Sequence, residues 1–415
     1  KAPVVRFSLY TGGGNASVAE GQQGLAQLLA EVITKGAANH SAEEIAAEVE
    51  SIGGTLSAAA AAEHIAISIA GPSFEQERLL GVLADVAMHP TFPAAEFSIA
   101  QQQLIADMAF DESDPLTLAD RQFRRVILDG HPYSAYSTPA IMETLTPEDL
   151  AAFHAAYFVP GNALLVITGD MTELEARRQV EVLFGEWPAG DAPDYLDYPE
   201  ATPRAQDVIY LIDQPAAGQA VVRVGNRAIR GAAEDRFALL VANHALGGRS
   251  QTSRLYRNLR ADKGYTYGVR STLDMLQDAG AFVIAGSVNE ETAGAAIHEI
   301  LFELERLSRE GLSDEELANA KSFLTGQYLM QTAVPNSFAD ILASYFLLGL
   351  PWESANEFVG AIEAVTAAEV QAAVNQYIEV EQPAIVVVGD AEVLLPQLEE
   401  LGEVVLVDAQ GEPVE

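Results

Sequence analysis

No cysteine occurs among the 415 residues. That excludes disulfides, thiolate zinc sites, iron–sulfur clusters and cysteine nucleophiles. It leaves the compartment open, because cytosolic and periplasmic proteins can both lack cysteine. Positive charge is scarce: 23 Lys and Arg stand against 60 Asp and Glu, a net charge of −37. Such a surface repels phosphates and anionic lipids, which argues against nucleic acid or a membrane surface as partner. No apolar run reaches the ~18 residues of a membrane-spanning helix. An initiator methionine and a signal peptide are both missing from the opening Lys1-Ala2-Pro3-Val4-Val5, which already reads as a strand. An N-terminal piece is therefore expected to have been removed. What is abundant is apolar side chain, 49% of the total. This excludes a disordered chain, and the length suggests two or three domains at ~150 residues each.

The sequence repeats itself. Leu145-Thr146-Pro147-Glu148-Asp149-Leu150, then Tyr157, then an apolar run ending in Gly169-Asp170, returns 220 positions later. The copy is Val365-Thr366-Ala367-Ala368-Glu369-Val370, Tyr377 and Gly389-Asp390. Glu96 and Leu104 recur as Glu316 and Leu324 at the same offset. Val4-Val5-Arg6-Phe7 resembles Val221-Val222-Arg223-Val224, and Ile69-Ala70-Gly71 resembles Ile284-Ala285-Gly286, at offsets of 217 and 215. Five matches in one order indicate two homologous halves. A Pro/Gly/Asp-rich stretch from Pro188 to Pro203 reads as the linker, which divides the chain into residues 1–204 and 205–415.

Each half begins β-rich, at Val4 to Tyr10 and Ala220 to Val224. A helix follows, at Gly24 to Glu31 and Phe237 to Leu246. Ile65, Ile67 and Ile69 alternate along a strand from His64 to Ala70. Long helices are expected at Phe74 to Met88 and Phe97 to Ala109, another behind the cap Thr146, and a buried strand at Ala163 to Thr168. Without a strict βαβ rhythm, the fold class is α+β: two homologous halves, each a largely antiparallel sheet with helices packed on one face.

Little in the chain reads as chemistry on its own. The seven histidines, His40, His64, His89, His131, His154, His244 and His298, form no pair within one helical turn. The i, i+4 arrangement common in zinc hydrolases is thus absent, and each reads as a surface or core residue. There is no Gly-x-Ser-x-Gly. Thr11-Gly12-Gly13-Gly14-Asn15 lacks the lysine of a phosphate loop and reads as a flexible hairpin turn. One region departs from the global charge: Arg249, Arg254, Arg257, Arg260, Lys263 and Arg270 are opposed locally only by Asp262. Two readings stand. This is a solvated face paired with acids elsewhere, or a grip for peptide carbonyls and carboxylates, helped by Tyr256, Tyr265 and Tyr267.

A family resemblance rests on Gly24-Leu25-Ala26, His131-Pro132-Tyr133, Leu145 to Leu150, Tyr157 with Pro160-Gly161-Asn162-Ala163, Gly169-Asp170 and Phe184-Gly185-Glu186-Trp187-Pro188. In the second half it rests on Leu246-Gly247-Gly248, Ser253-Arg254-Leu255, Leu259-Arg260 and Gly264-Tyr265-Thr266-Tyr267. Over nearly its whole length the chain resembles the pitrilysin/insulinase-like zinc metallopeptidases, specifically the short two-domain bacterial members related to mitochondrial processing peptidase. Active members of that family carry H-x-x-E-H on the first helix. Its two histidines bind zinc and its glutamate is the general base, while a distal glutamate is the third protein ligand. The matching positions here are Gln27, Ala30 and Glu31, and the distal one, 76 residues beyond Glu31, is Asp107. All four are altered. Gln is a poor zinc ligand and Ala30 takes no proton. Glu31 with Asp107 would suit at best a weak hard-cation site.

The resemblance implies no catalytic residue and no cofactor or metal in this chain. Family members also use an Arg and a Tyr, seven positions apart in the second half, to hold the substrate backbone. Arg260 and Tyr267 have that spacing, with Tyr265 a rival. The implied role is the non-catalytic subunit of a heteromeric zinc metallopeptidase. An H-x-x-E-H-bearing partner would supply zinc and base, and unstructured peptides would be the substrates. The alternative is a peptide-binding or structural scaffold without peptidase activity, like the related core subunits of respiratory complexes. The expected location is the periplasm of a bacterium, with the cytoplasm left open.

Overall fold

A computed structural model describes residues 3–38, 40–191, 198–202, 204, 207–215 and 217–414. Part of the expected linker, residues 192–197 and 203, lies outside the described residues.

The first sheet is built from β1 (Val4–Gly12), β4 (Thr55–Ala60), β5 (His64–Pro72) and β6 (Ala163–Gly169), in the order β4-β5-β1-β6 and antiparallel throughout. A two-residue pair, β2 (Gly36–Ala37) with β3 (His40–Ser41), stands apart from it. The second sheet contains β7 (Ile209–Asp213), β8 (Ala220–Ala228), β9 (Thr266–Met275), β10 (Gly280–Val288), β11 (Ala384–Gly389) and β12 (Val404–Val407). Its order is β12-β7-β11-β8-β10-β9. Removing β7 and β12 leaves β11-β8-β10-β9, the same path as the first sheet. The repeat extends to register. Val5 pairs with Gly71 and Arg6 with Ala70, while Val222 pairs with Gly286 and Arg223 with Ala285. The small drift in offset is absorbed in the connections, not in the strands.

Alternation decides which side chains are buried. Ile65, Ile67 and Ile69 are fully buried with Phe7, against helices Leu25–Val32 and Gln76–Met88. In the second sheet Val222, Val224, Phe282 and Ile284 meet helices Arg236–Gly247, Ala293–Glu310 and Ala367–Tyr377. The capping box at Thr146 forms as expected, with Thr146 accepting from the Asp149 N–H and Asp149 from the Thr146 N–H at 2.9 Å. The expected buried strand at Ala163 to Thr168 is only half-buried. It is the edge of its sheet, whereas its counterpart β11 is wholly buried because β7 and β12 extend the sheet beyond it. The glycine run after β1 is not a flexible hairpin. Gly13 sits at φ +92° against the Tyr157 ring, where any Cβ would clash, and leads into a short 3-10 turn, Asn15–Ser17.

Each sheet also carries a helix on its other face, and the sequence does not anticipate whose. By packing, the chain forms two compact units: residues 1–109, 135–198 and 331–347, and residues 110–134, 199–330 and 348–415. The helix Pro115–Ile127, from the first half of the sequence, lies in the second unit. There Leu118 and Ala119 pack on Val221 and Val388. The helix Pro335–Leu347, from the second half, lies in the first unit, on β6 and β1. The two helices stand at equivalent positions of the repeat and share Pro115/Pro335, Ala119/Ala339 and Asp120/Asp340. The halves have thus exchanged equivalent helices, and each exchange carries the same ion pair. Arg223 Nε donates to Asp120 at 2.6 Å, and Arg6 Nη1 lies 3.2 Å from Asp340.

The two pairs differ in setting. The Arg223 side chain is 5% exposed and that of Arg6 27%. Removing an acid from a buried arginine leaves a stranded charge, which costs more than opening a half-exposed pair. Asp120→Asn is expected to destabilise the protein by about 1–3 kcal/mol, and Asp340→Asn by less than about 1 kcal/mol. Urea denaturation of both variants checks the ordering.

Candidate functional site

Gly24 opens the motif helix at φ +92°, and a Cβ there would strike Met142 and Ser137. The helix that follows presents Gln27 and Glu31 to solvent and buries Ala30, 4% exposed, in the core. Asp107 stands on the helix Ala94–Asp111, also exposed, where its carboxylate accepts from Gln103 Nε2 at 2.8 Å. These four side chains do not fit zinc. One amide, one methyl and two carboxylates provide no imidazole and no group positioned to take a proton at Ala30. Among the described residues no three His, Asp or Glu side chains gather as a metal site.

Two of the histidines, His131 and His154, are held inside the fold by hydrogen bonds. His131 is buried. Its Nδ1 accepts from the Tyr133 N–H at 3.1 Å, so Nε2 carries the proton and donates to Asp278 at 3.0 Å. The His131-Pro132-Tyr133 motif is therefore a turn fixed by hydrogen bonds. His154 donates from Nε2 to the Ala87 carbonyl at 2.8 Å, and burial pushes its pKa down.

The basic segment divides in two. Arg254 is buried, and its Nε and Nη2 donate to both Glu316 oxygens at 2.7 and 2.9 Å. Nη2 also reaches the Gly311 carbonyl at 2.6 Å. Lys263 pairs with Glu299. These two follow the reading of cations paired with acids elsewhere. Arg249, Arg257, Arg260 and Arg270 are exposed and, among the described residues, form no ion pair. Arg260 lies in a π-helical segment, Tyr256–Asp262, with its guanidinium 5.0 Å from the Tyr256 ring centre. Tyr265 packs against the core of its unit, whereas Tyr267 is 84% exposed. A β-bulge accounts for the difference. Gly268 pairs with Ser287 and Thr266 with Val288, so Tyr267 is the extra residue and turns outward from the edge strand β9. No pattern in the sequence marks that bulge.

A family model of insulinase, peptidase family M16, matches residues 1–122, and one of the peptidase M16 inactive domain matches residues 144–324. The chain belongs to the M16 peptidase family. It is 24% identical over 374 residues to the uncharacterized zinc protease YmxG of Bacillus subtilis, covering 90% of each chain. A crystal structure of a peptidase M16 inactive domain from Pseudomonas fluorescens superposes with a TM-score of 0.84 at 24% identity, over 94% of both chains. The periplasmic protease PqqL of Escherichia coli gives a TM-score of 0.77 at 16% identity, over 94% of this chain and 43% of that one. Two halves of mixed sheet and helix are thus the M16 fold, and part of the chain matches that family's inactive domain.

Glu316 provides a pH signature for the second unit. Burial raises its carboxyl pKa, but the Arg254 guanidinium and the Ser313 N–H and hydroxyl more than reverse this and hold it at about 2, against an ordinary 4.5. A lowered folded-state pKa stabilises the fold above the unfolded value, and that stability is lost as pH falls from about 4.5 toward 2. Allowing for solvent screening, the contribution is ~1–3 kcal/mol. Urea titrations between pH 6 and 3 are expected to show this loss, and Glu316→Gln to flatten it.

Proposed function

We propose that this chain is the non-catalytic subunit of a heteromeric zinc metallopeptidase and contributes Arg260 and Tyr267 as contacts to the peptide substrate. An H-x-x-E-H-bearing partner supplies zinc and general base. The observation that carries this reading is the contrast between the two candidate regions. The positions where active members hold zinc carry Gln27, Ala30, Glu31 and Asp107. The Arg260 and Tyr267 side chains, in turn, are exposed, and Arg260 has no acid partner among the described residues.

Peptide hydrolysis passes through a tetrahedral intermediate, whose oxyanion is stabilised by donors placed in advance. The Arg260 guanidinium offers several N–H donors in a rigid fork, and the Tyr267 hydroxyl offers one more. Their part is to hold an extended backbone by its carbonyls and keep the scissile bond in register with chemistry the partner performs. Similarity to a periplasmic protease over 94% of the chain supports a periplasmic location for this subunit.

The experiment is an assay on unstructured peptides with this chain alone and then mixed with the H-x-x-E-H subunit of the same organism. Cleavage is expected only in the mixture, abolished by a chelator. Arg260→Ala is expected to lower kcat/KM of the mixture about 10–100-fold while the two subunits still co-purify. Undiminished cleavage in that variant contradicts the substrate role. Failure of any H-x-x-E-H subunit to associate favours the scaffold reading.

A further inference from the structure

We propose that the second unit contains a carboxylate-binding subsite, formed by Arg249 and Arg270, that selects peptides bearing an acidic group. This rests on the reading of the chain as a peptide-binding subunit and specifies the substrate class for the region beside Arg260 and Tyr267.

The two arginines line a cleft of about 410 Å³ over strands β9 and β10. Its floor is formed by small residues, Gly268, Ala285 and Gly286, leaving room for a substrate. Among the described residues no Asp or Glu lines this cleft. It adjoins a larger one of about 690 Å³, which shares Arg249 and Arg270. The acids there, Asp120 and Asp274, are each already held by another arginine. Arg223 binds Asp120 at 2.6 Å, and Arg124 binds Asp274 at 3.0 Å. Among the described residues, the arginines of these clefts that form no ion pair are Arg249 and Arg270.

Their placement follows from register. Arg270 pairs with Ala285, and Ala285 with Arg223, so the three form one row across β9, β10 and β8 on one face of the sheet. Arg270 and Arg223 are therefore roughly 10 Å apart at Cα. The Asp120 of the exchanged helix neutralises Arg223 and leaves Arg270, on the edge strand, open. Arg249 enters from the loop that ends the helix Arg236–Gly247. Continuity with the proposed substrate contacts is direct. Tyr256, under the Arg260 guanidinium, lines the cleft, and Gly268 is the neighbour of Tyr267 along β9.

Two uncompensated guanidinium groups beside an open floor suit a carboxylate, which each can bind through paired N–H donors. The charge balance makes the case specific. A protein with net charge −37 repels an acidic peptide at long range. Preference for acid therefore requires a local cationic site acting within the ~8 Å screening length of physiological salt. The carboxylate is either an Asp or Glu side chain or the C-terminus of the peptide.

The test is fluorescence anisotropy at 0.15 M salt (order of the physiological value), with the full chain and three labelled, unstructured peptides of one sequence. The first has a central Gln and an amidated C-terminus. The second has Glu in place of that Gln, and the third keeps Gln but has a free C-terminus. One of the two acidic probes is expected to bind about tenfold more tightly than the neutral one, and which does so identifies the source of the carboxylate. In Arg249→Gln/Arg270→Gln the ratio of acidic to neutral affinity should fall to about one. Both arginines are exposed, so the variant should retain the native melting temperature. Equal binding of all three probes by the native chain overturns the subsite while leaving the peptide-binding reading intact. Absence of binding by every probe overturns both. A preference that survives in the double variant overturns the assignment to these residues.

Discussion

The exchange of equivalent helices between the two halves is the constraint on which the rest of the molecule depends. A sheet buried by helices on one face still exposes apolar side chains on the other. Here the uncovered face of each sheet receives a helix encoded in the opposite half, Pro115–Ile127 for one and Pro335–Leu347 for the other. Each arrives with an aspartate aimed at the same strand arginine, Arg223 or Arg6. An arginine in the middle of an apolar face requires its partner, so the ion pair fixes where along the strand the helix rests. Neither sheet is covered by helices of its own half alone.

That constraint also shapes the face of the second sheet that carries Arg270. The exchanged helix covers β8 and β11 and leaves β10 and β9 open. The open part carries the edge strand, the bulge that turns Tyr267 outward and the arginines left without acids. The paired cations, Arg223, Arg254 and Lys263, hold structure, whereas Arg249, Arg260 and Arg270 are available to bind. The basic stretch from Arg249 to Arg270 therefore divides into cations paired with acids, Arg254 and Lys263, and exposed arginines without an ion pair among the described residues.

Much of this could be read from the residues. The duplication is visible as matched strings, and it reappears as identical strand order and register because register is set by which face is apolar. The strands at Val4 and His64, the helix behind Gly24 and the cap at Thr146 rest on alternation, periodicity and side-chain capping, all of which are local. The helix exchange is not local. Its signal was present, Pro115, Ala119 and Asp120 against Pro335, Ala339 and Asp340, but a shared pattern does not say which sheet a helix covers. The half-buried state of β6 depends on a neighbour it lacks, and the outward turn of Tyr267 on a bulge defined by its partner strand. The positions Gln27, Ala30, Glu31 and Asp107 are located through the family resemblance, by alignment with its motif. Their exposure or burial was not legible: the structure turns Gln27, Glu31 and Asp107 to solvent and buries Ala30.

The central claim is that this chain holds none of the zinc of the proposed complex. Equilibrium dialysis of the purified chain against micromolar zinc, followed by elemental analysis, tests it directly. The account predicts no stoichiometric zinc. One tightly held zinc per chain would contradict it, and would require a set of ligands that Gln27, Ala30, Glu31 and Asp107 do not provide.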